Sequence, residues 1–240
     1  MESEALFEIQ PSADSWHRRR RVGFDLETTS RFPAEARIVS AALVALDDDD
    51  DNASPVVREW LVDPGIPIPE ETVAIHGIST EYAREHGQDP AVAIEQLVIA
   101  LTEEFDAGSA VVVMNAPYDL GVLRAEAARY GLQFPEPRPV IDPLVVDKQV
   151  DKYRRGKRRL GDLCGVYGVL LNEAHSAAPD ALATVQVADC LAEKFPELQM
   201  PAGQLHDLQV GWRAEQAADF QAYLQRQGKT DAFIDGSWPL

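Results

Sequence analysis

Cysteine is scarce, with only Cys164 and Cys190 in 240 residues. Two thiols cannot build a disulfide-rich scaffold or a Cys-based structural zinc site, and they read as reduced thiols in a cytoplasmic protein. No stretch approaches the ~20 apolar residues of a membrane span. The opening M-E-S-E-A-L-F-E is acidic and lacks an apolar h-region, so no secretory signal is expected. Positive charge is also short. Lys and Arg number 22 against 40 Asp and Glu, a net charge of −18. That balance argues against coating nucleic acid through bulk positive charge and against docking on anionic membranes. It leaves room for local basic patches. Walker A loops, zinc-ligand clusters and Ser-His-Asp hydrolase motifs are absent as well.

Apolar residues make up 45% of the chain, which supports one domain with a full core. Residues 1–20 are polar, end in the basic run His17 to Arg21, and read as a leader. R-V-G-F-D-L-E is a short strand-like run, and Arg37 to Leu46 reads as a second strand. It stops at five aspartates, Asp47 to Asp51, which resist burial and mark an exposed hairpin loop. Pro55 to Val62 alternates as a third, antiparallel strand.

Helical periodicity then takes over. Ile94, Leu97, Val98, Leu101 and Phe105 share one helix face. Ala110 to Met114 is a compact strand, Tyr118 to Tyr130 a helix ended by Gly131, and Pro139 to Leu144 a short strand entering a helix. Leu160 to Tyr167 and Pro179 to Phe195 are further helices. Strands first, then alternating helices and strands, predict an α/β fold with a mixed sheet flanked by helices. The domain is expected over 21–195, followed by a helical extension over 196–240 that packs on it. Trp212, Phe220, Tyr223, Phe233 and Trp238 in that extension offer a partner surface as the alternative.

Three segments carry chemistry. In G-F-D-L-E-T-T-S, Asp25 and Glu27 are two apart, so on a strand they face the same side. Adjacent carboxylates resist joint ionisation, and a divalent cation with oxygen ligands, Mg²⁺ or Mn²⁺, relieves that conflict. In V-V-V-M-N-A-P-Y-D, Asn115 begins a turn and Asp119 falls early in the next helix, where the helix dipole alone also favours an acid. In H-S-A-A-P-D-A-L-A-T, His175 sits in a loop and Asp180 near a helix start. A histidine beside metal carboxylates suits proton abstraction from water.

In this order, the segments resemble the DEDDh 3′–5′ exonucleases, and within them the epsilon-type proofreading subunits of bacterial DNA polymerase III. The motif Asp-x-Glu-Thr-Thr-Gly is matched by Asp25, Glu27, Thr28 and Thr29, with Ser30 at the glycine place. Asn-Ala-x-Phe-Asp is matched by Asn115, Ala116 and Asp119, with Tyr118 for Phe. The third motif is matched by His175, Ala177, Asp180, Ala181, Ala183 and Thr184, and Ile75 to Ser79 resembles the family's His-Gly-Ile segment. Ser30 is harmless unless that position needs a positive φ.

The resemblance implies a ribonuclease H-like, five-stranded mixed sheet. It implies hydrolysis of 3′-terminal phosphodiesters to nucleoside 5′-monophosphates by two divalent ions, Mg²⁺ or Mn²⁺, about 4 Å apart. Asp25 would bridge both ions, Glu27 and Asp180 would hold the ion carrying the attacking water, and Asp119 would support the other. His175 would be the general base. Leu26, Thr28, Thr29 and Asn115 would contact the terminal nucleotide. His76 either lines the pocket or holds the His-Gly turn, and Tyr118 either stacks on a base or packs into the core. Single-stranded DNA 3′ ends are the implied substrate, RNA the alternative, and a DNA polymerase the implied partner. Between Asp147 and Arg159 lie seven basic and two acidic residues. Arg154, Arg155, Lys157, Arg158 and Arg159 in this stretch are read as a phosphate-gripping loop.

Overall fold

The computed structural model describes residues 14–47, 54–171 and 175–240. Five strands form one sheet: β1 (Arg21–Thr28), β2 (Ile38–Leu46), β3 (Val56–Leu61), β4 (Ala110–Val112) and β5 (Val140–Ile141). Their spatial order is β3-β2-β1-β4-β5. The first three form the antiparallel meander, while β4 and β5 run parallel to β1. Of the five aspartates expected at the β2–β3 hairpin, Asp48 to Asp51 lie outside the described residues.

Among the described residues eight α-helices accompany the sheet: α1 (Glu70–His76), α2 (Thr80–His86), α3 (Pro90–Asp106), α4 (Ala116–Arg129), α5 (Pro143–Val150), α6 (Leu160–Tyr167), α7 (Ala177–Lys194) and α8 (Ala202–Arg226). Alternation along β1 divides the core. Val22, Phe24 and Leu26 join Ile94, Leu97 and Leu101 of α3 and Leu120 and Leu123 of α4. The opposite face carries Gly23, Asp25 and Glu27 and meets α7. A second cluster unites α6 and α7 with Leu198 and Leu205. None of the described helices is long and apolar enough to cross a membrane.

The short helices α1 and α2 escape a reading based on periodicity. Each has seven residues, and between them they bury only Ala83 fully, so neither presents a repeating apolar face. Helices α4 and α7 begin two residues earlier than their patterns suggest. Pro117 and Pro179 fall within their first turns, where a missing N–H has no helical partner to lose.

Helix α8 lies against β5 and α5. Gln209 accepts from the Asp142 N–H at 2.7 Å and donates to the Val140 carbonyl at 3.0 Å. His206 Nδ1 accepts from the Val140 N–H at 3.1 Å, and the His206 and Trp238 rings lie 4.9 Å apart. Trp238, two residues from the C-terminus, is buried in the same cluster as Val22 and Phe24.

Candidate active site

Strand β1 is the spine of the site. β4 pairs with it only as far as Gly23, and a β-bulge falls between Glu27 and Thr28 opposite β2. Bulges re-aim the residues around them, and here one closes the stretch that carries both carboxylates. Past the end of β4, the Leu26 N–H donates to Asp119 Oδ1 at 3.2 Å. Helix α4 therefore places its acid against the open edge of β1.

Helix α7 approaches β1 on the other side with unusual intimacy. A Cβ on Gly23 would sit 2.3 Å from the Ala181 carbonyl oxygen and 2.8 Å from its carbon. Only hydrogen at this position lets the first turns of α7 come so close, and small Ala177 and Ala181 complete the contact. Asp180 in that turn consequently reaches the β1 carboxylates. One oxygen from each of Asp25, Glu27 and Asp180 lies within 4.8 Å of the others.

This acidic cluster is electrostatically uncomfortable by itself. Burial, then Asp119, Glu27 and Asp180, push the Asp25 carboxyl well above its ordinary range. Burial and then Asp180 raise Glu27 to about 7. Burial raises Asp119, opposed by the Leu26 N–H, and burial raises Asp180, opposed by the His175 N–H. His175 donates that backbone bond to Asp180 Oδ2 at 3.1 Å, and its exposed ring stands at the site's edge. It holds φ of 70°, a left-handed conformation rare for a side-chain-bearing residue. The other oxygen of Asp180, Oδ1, is buried without a hydrogen-bond partner among the described residues.

Around the cluster, several predicted contact residues are already engaged. Thr28 Oγ1 lies within hydrogen-bond distance of both the Tyr118 hydroxyl and the Ser30 carbonyl. Tyr118 also donates to the Ser30 carbonyl at 2.6 Å, so its hydroxyl ties α4 to the loop after β1 while its ring packs on the core. The Thr29 hydroxyl accepts from the Arg37 N–H, and the Thr29 N–H donates to the Arg37 carbonyl. Ser30 is not among the described residues with positive φ, so the position does not require glycine. His76 Nδ1 accepts from the Ile78 N–H, closing the turn at Gly77. Its Nε2 is buried and unpartnered. Burial lowers the ring's pKa, while proximity to the Thr28 backbone raises it.

The basic loop divides into two groups. Arg154 and Arg158 each bind Asp147 Oδ2 at 2.6 Å, and Tyr167 donates to Oδ1 at 2.7 Å. Asp147 is fully buried, so these two arginines neutralise an interior carboxylate. Arg155, Lys157 and Arg159 are exposed.

Asp142 is a site-building residue that sequence reasoning missed. Its carboxylate accepts from the Asn115 N–H and the Ala116 N–H, both at 3.0 Å, and from the Leu144 N–H at 2.9 Å. It thereby caps α5 and fixes the turn that launches α4. Asn115 itself occupies the left-handed region at φ 60°, which asparagine tolerates. The signal was Asp immediately before Pro143, a helix N-cap pattern. The bonds that reach back to Asn115 were invisible.

A model of the RNase T exonuclease family matches residues 22–188, which include all five acidic and histidine residues of the three motifs. A DNA polymerase III subunit epsilon-like protein of Rhodobacter capsulatus is 33% identical over 168 residues, covering 69% of this chain and 22% of that one. A PolC-type DNA polymerase III of Lacticaseibacillus paracasei is 30% identical over 165 residues, 68% of this chain and 10% of that one. The chain thus spans less than a quarter of either curated relative. Among solved structures, Escherichia coli exonuclease I in complex with a dT13 oligonucleotide aligns with a TM-score of 0.62 at 20% identity, covering 75% of this chain and 42% of that one. That likeness shows a common ribonuclease H-like fold. With the match spanning every motif and most of the domain, the chain belongs to the DEDD exonuclease family.

Proposed function

We propose that this chain removes nucleotides from the 3′ ends of DNA, single strands preferentially, releasing nucleoside 5′-monophosphates with the help of two divalent cations. The observation that carries the reading is the convergence of Asp25, Glu27 and Asp180, with the Asp180 Oδ1 atom buried and unpartnered. Buried oxygens are left unsatisfied at real cost unless something binds them. The donor set is all carboxylate oxygen, which suits Mg²⁺ or Mn²⁺. Asp25, Glu27 and Asp180 would hold one ion, and Asp25 with Asp119 the other. Bound there, the ions would offset four carboxylates and stabilise charge on the scissile phosphate.

The chain's own groups supply the rest. The His175 N–H fixes one Asp180 oxygen, and the exposed His175 ring would accept a proton from the attacking water. The Thr28–Ser30 loop, held by Tyr118, would receive the terminal nucleotide. Arg155, Lys157 and Arg159 would meet the strand electrostatically. Both curated relatives are named for DNA polymerase III, which favours DNA over RNA and a replication or repair setting with a polymerase as partner.

The test is a Mg²⁺ and Mn²⁺ assay on 3′-labelled single-stranded DNA, duplex DNA and RNA with product identification. Nucleoside 5′-monophosphates from single-stranded DNA are expected, and Asp25→Ala abolishes their release while the protein stays folded. Full activity in that variant would sink the assignment.

A further inference from the structure

Two cations border one cavity without a salt bridge of their own among the described residues. Lys148 of α5 and Arg213 of α8 both line a cavity of about 230 Å³ that Asn115 and Asp142 also border. Neither makes a salt bridge among the described residues. Burial and then Arg213 lower the Lys148 pKa, with Asp142 and Asp147 opposing them only in part. The acids nearby are engaged elsewhere. Asp142 accepts three backbone N–H bonds, Asp147 is bound by Arg154 and Arg158, and Asp235, which feels the Arg213 charge, accepts from the Ser237 N–H. Adjacent like charges at a half-buried position are costly without an anion between them.

The cavity is placed to serve the active site. Asn115 opens α4 four residues before Asp119, and Asp142 follows directly on β5, so the cavity lies at the carboxyl edge of the parallel strands. That is the edge on which open α/β sheets bind ligands. A second groove of about 440 Å³ shares Lys148, Gln216 and Phe220 with the first and adds Lys152, while Arg158, which also borders it, is bound to Asp147. Phe220 is 50% exposed and lies nearly parallel to Tyr223, with ring centroids 6.3 Å apart and planes at 13°. Cations beside exposed aromatic faces make up the usual composition of a single-strand track. Glu215 and Asp219 also border the groove, and Asp219 pairs with Lys152 at 3.4 Å, which keeps the attraction local.

We propose that the groove between α5 and α8 is a second subsite for the substrate strand, in which Lys148 and Arg213 take a backbone phosphate upstream of the 3′ end and Phe220 stacks on a base. The subsite deepens the exonuclease reading and rests on it for the identity of the strand. It lies partly outside the segment matched by the family model, because Arg213 and Phe220 belong to α8.

The experiment measures binding of 5′-fluorescein oligothymidylates, from the dinucleotide upward, to the full chain with divalent metal withheld, across a sodium chloride series. Parent affinity is expected to rise with length until the subsite is filled. In Lys148→Gln/Arg213→Gln the loss relative to parent should grow with length, and the slope of log affinity against log salt should fall by about 1 for each cation that contacts phosphate. Phe220→Ala, at the surface, gives a second variant that does not threaten packing. It should lose about tenfold on long oligonucleotides, in line with one stacked base. Length and salt dependence identical to the parent in both variants would overturn the subsite, as would a parent that shows no gain with length. A parent that binds with this profile yet releases no nucleotides when Mg²⁺ is added would overturn the hydrolytic reading and leave the subsite standing.

Discussion

Without a counter-ion, Glu27 titrates at about 7 rather than at its ordinary 4.5, because burial and the Asp180 charge both disfavour its ionised form. The folded protein therefore holds this proton more tightly than the unfolded chain. Its stabilising contribution is full below about 4.5 and is lost as pH rises through about 7. Metal-free protein should accordingly melt at progressively lower temperature across that window, and Mg²⁺ should restore the loss at its upper end while doing little at its lower end. Thermal melts with and without Mg²⁺ check this, and a response to Mg²⁺ that does not vary with pH would contradict it. His175 tests a separate property. His175→Asn keeps a residue that tolerates the left-handed backbone and preserves the N–H bond to Asp180. Turnover at saturating Mg²⁺ should drop by roughly 10²–10⁴, with the half-saturating Mg²⁺ concentration nearly unchanged. The reverse pattern would assign the ring to metal binding.

Among the elements, the contact of β1 with α7 decides whether the acids meet. Gly23→Ala would place a methyl group 2.3 Å from the Ala181 carbonyl oxygen, so α7 must withdraw and take Asp180 with it. The expected cost is about 1–3 kcal/mol in denaturant unfolding, as for other overpacked sites, together with weaker Mg²⁺ stabilisation. Parental stability and Mg²⁺ response in this variant would show that α7 can shift without consequence. The sequence announced the carboxylates of β1 by their period-2 spacing, and Asp180 by its place at a helix start. It did not announce why Gly23 is glycine, because the reason lies in a backbone 158 residues away along the chain. The basic loop teaches the same point in reverse. Seven cations between Asp147 and Arg159 suggested a single electrostatic surface, yet Arg154 and Arg158 turn inward to Asp147, leaving Arg155, Lys157 and Arg159 outside. Neutralising the first two would strip a buried carboxylate and perturb folding, so the outer three are the clean test of strand binding.

For the molecule as a whole, the C-terminal segment is structural support for the site. Trp238 is buried against the His206 ring, and its indole N–H reaches Asp142 Oδ2 at 3.4 Å. Asp142 in turn holds the Asn115 turn that aims Asp119. Trp238→Ala should therefore cost about 3–5 kcal/mol of stability and reduce activity at temperatures where the protein remains folded. Unfolding measured by denaturant and turnover measured at low temperature separate the two effects. An unchanged melting point would show that the tail is an accessory. Phe220, Tyr223 and Phe233 stay exposed, so the aromatic residues of the extension are split between self-packing and surface.

What the sequence determined by itself was the chemistry and the order of the elements. Carboxylate spacing, helix starts and strand alternation are local properties, each set within a few residues, and the three motifs were readable for that reason. The net charge of −18 could be read too, though not its distribution. Only the tertiary structure decided which charges face each other. Among the described residues it left Asp180 Oδ1 buried and unpartnered, tied the Thr28 and Thr29 hydroxyl oxygens into the protein's own contacts, and put Lys148 and Arg213 on one cavity. Those outcomes depend on distances between groups remote along the chain, and electrostatic energy follows distance and burial rather than sequence separation.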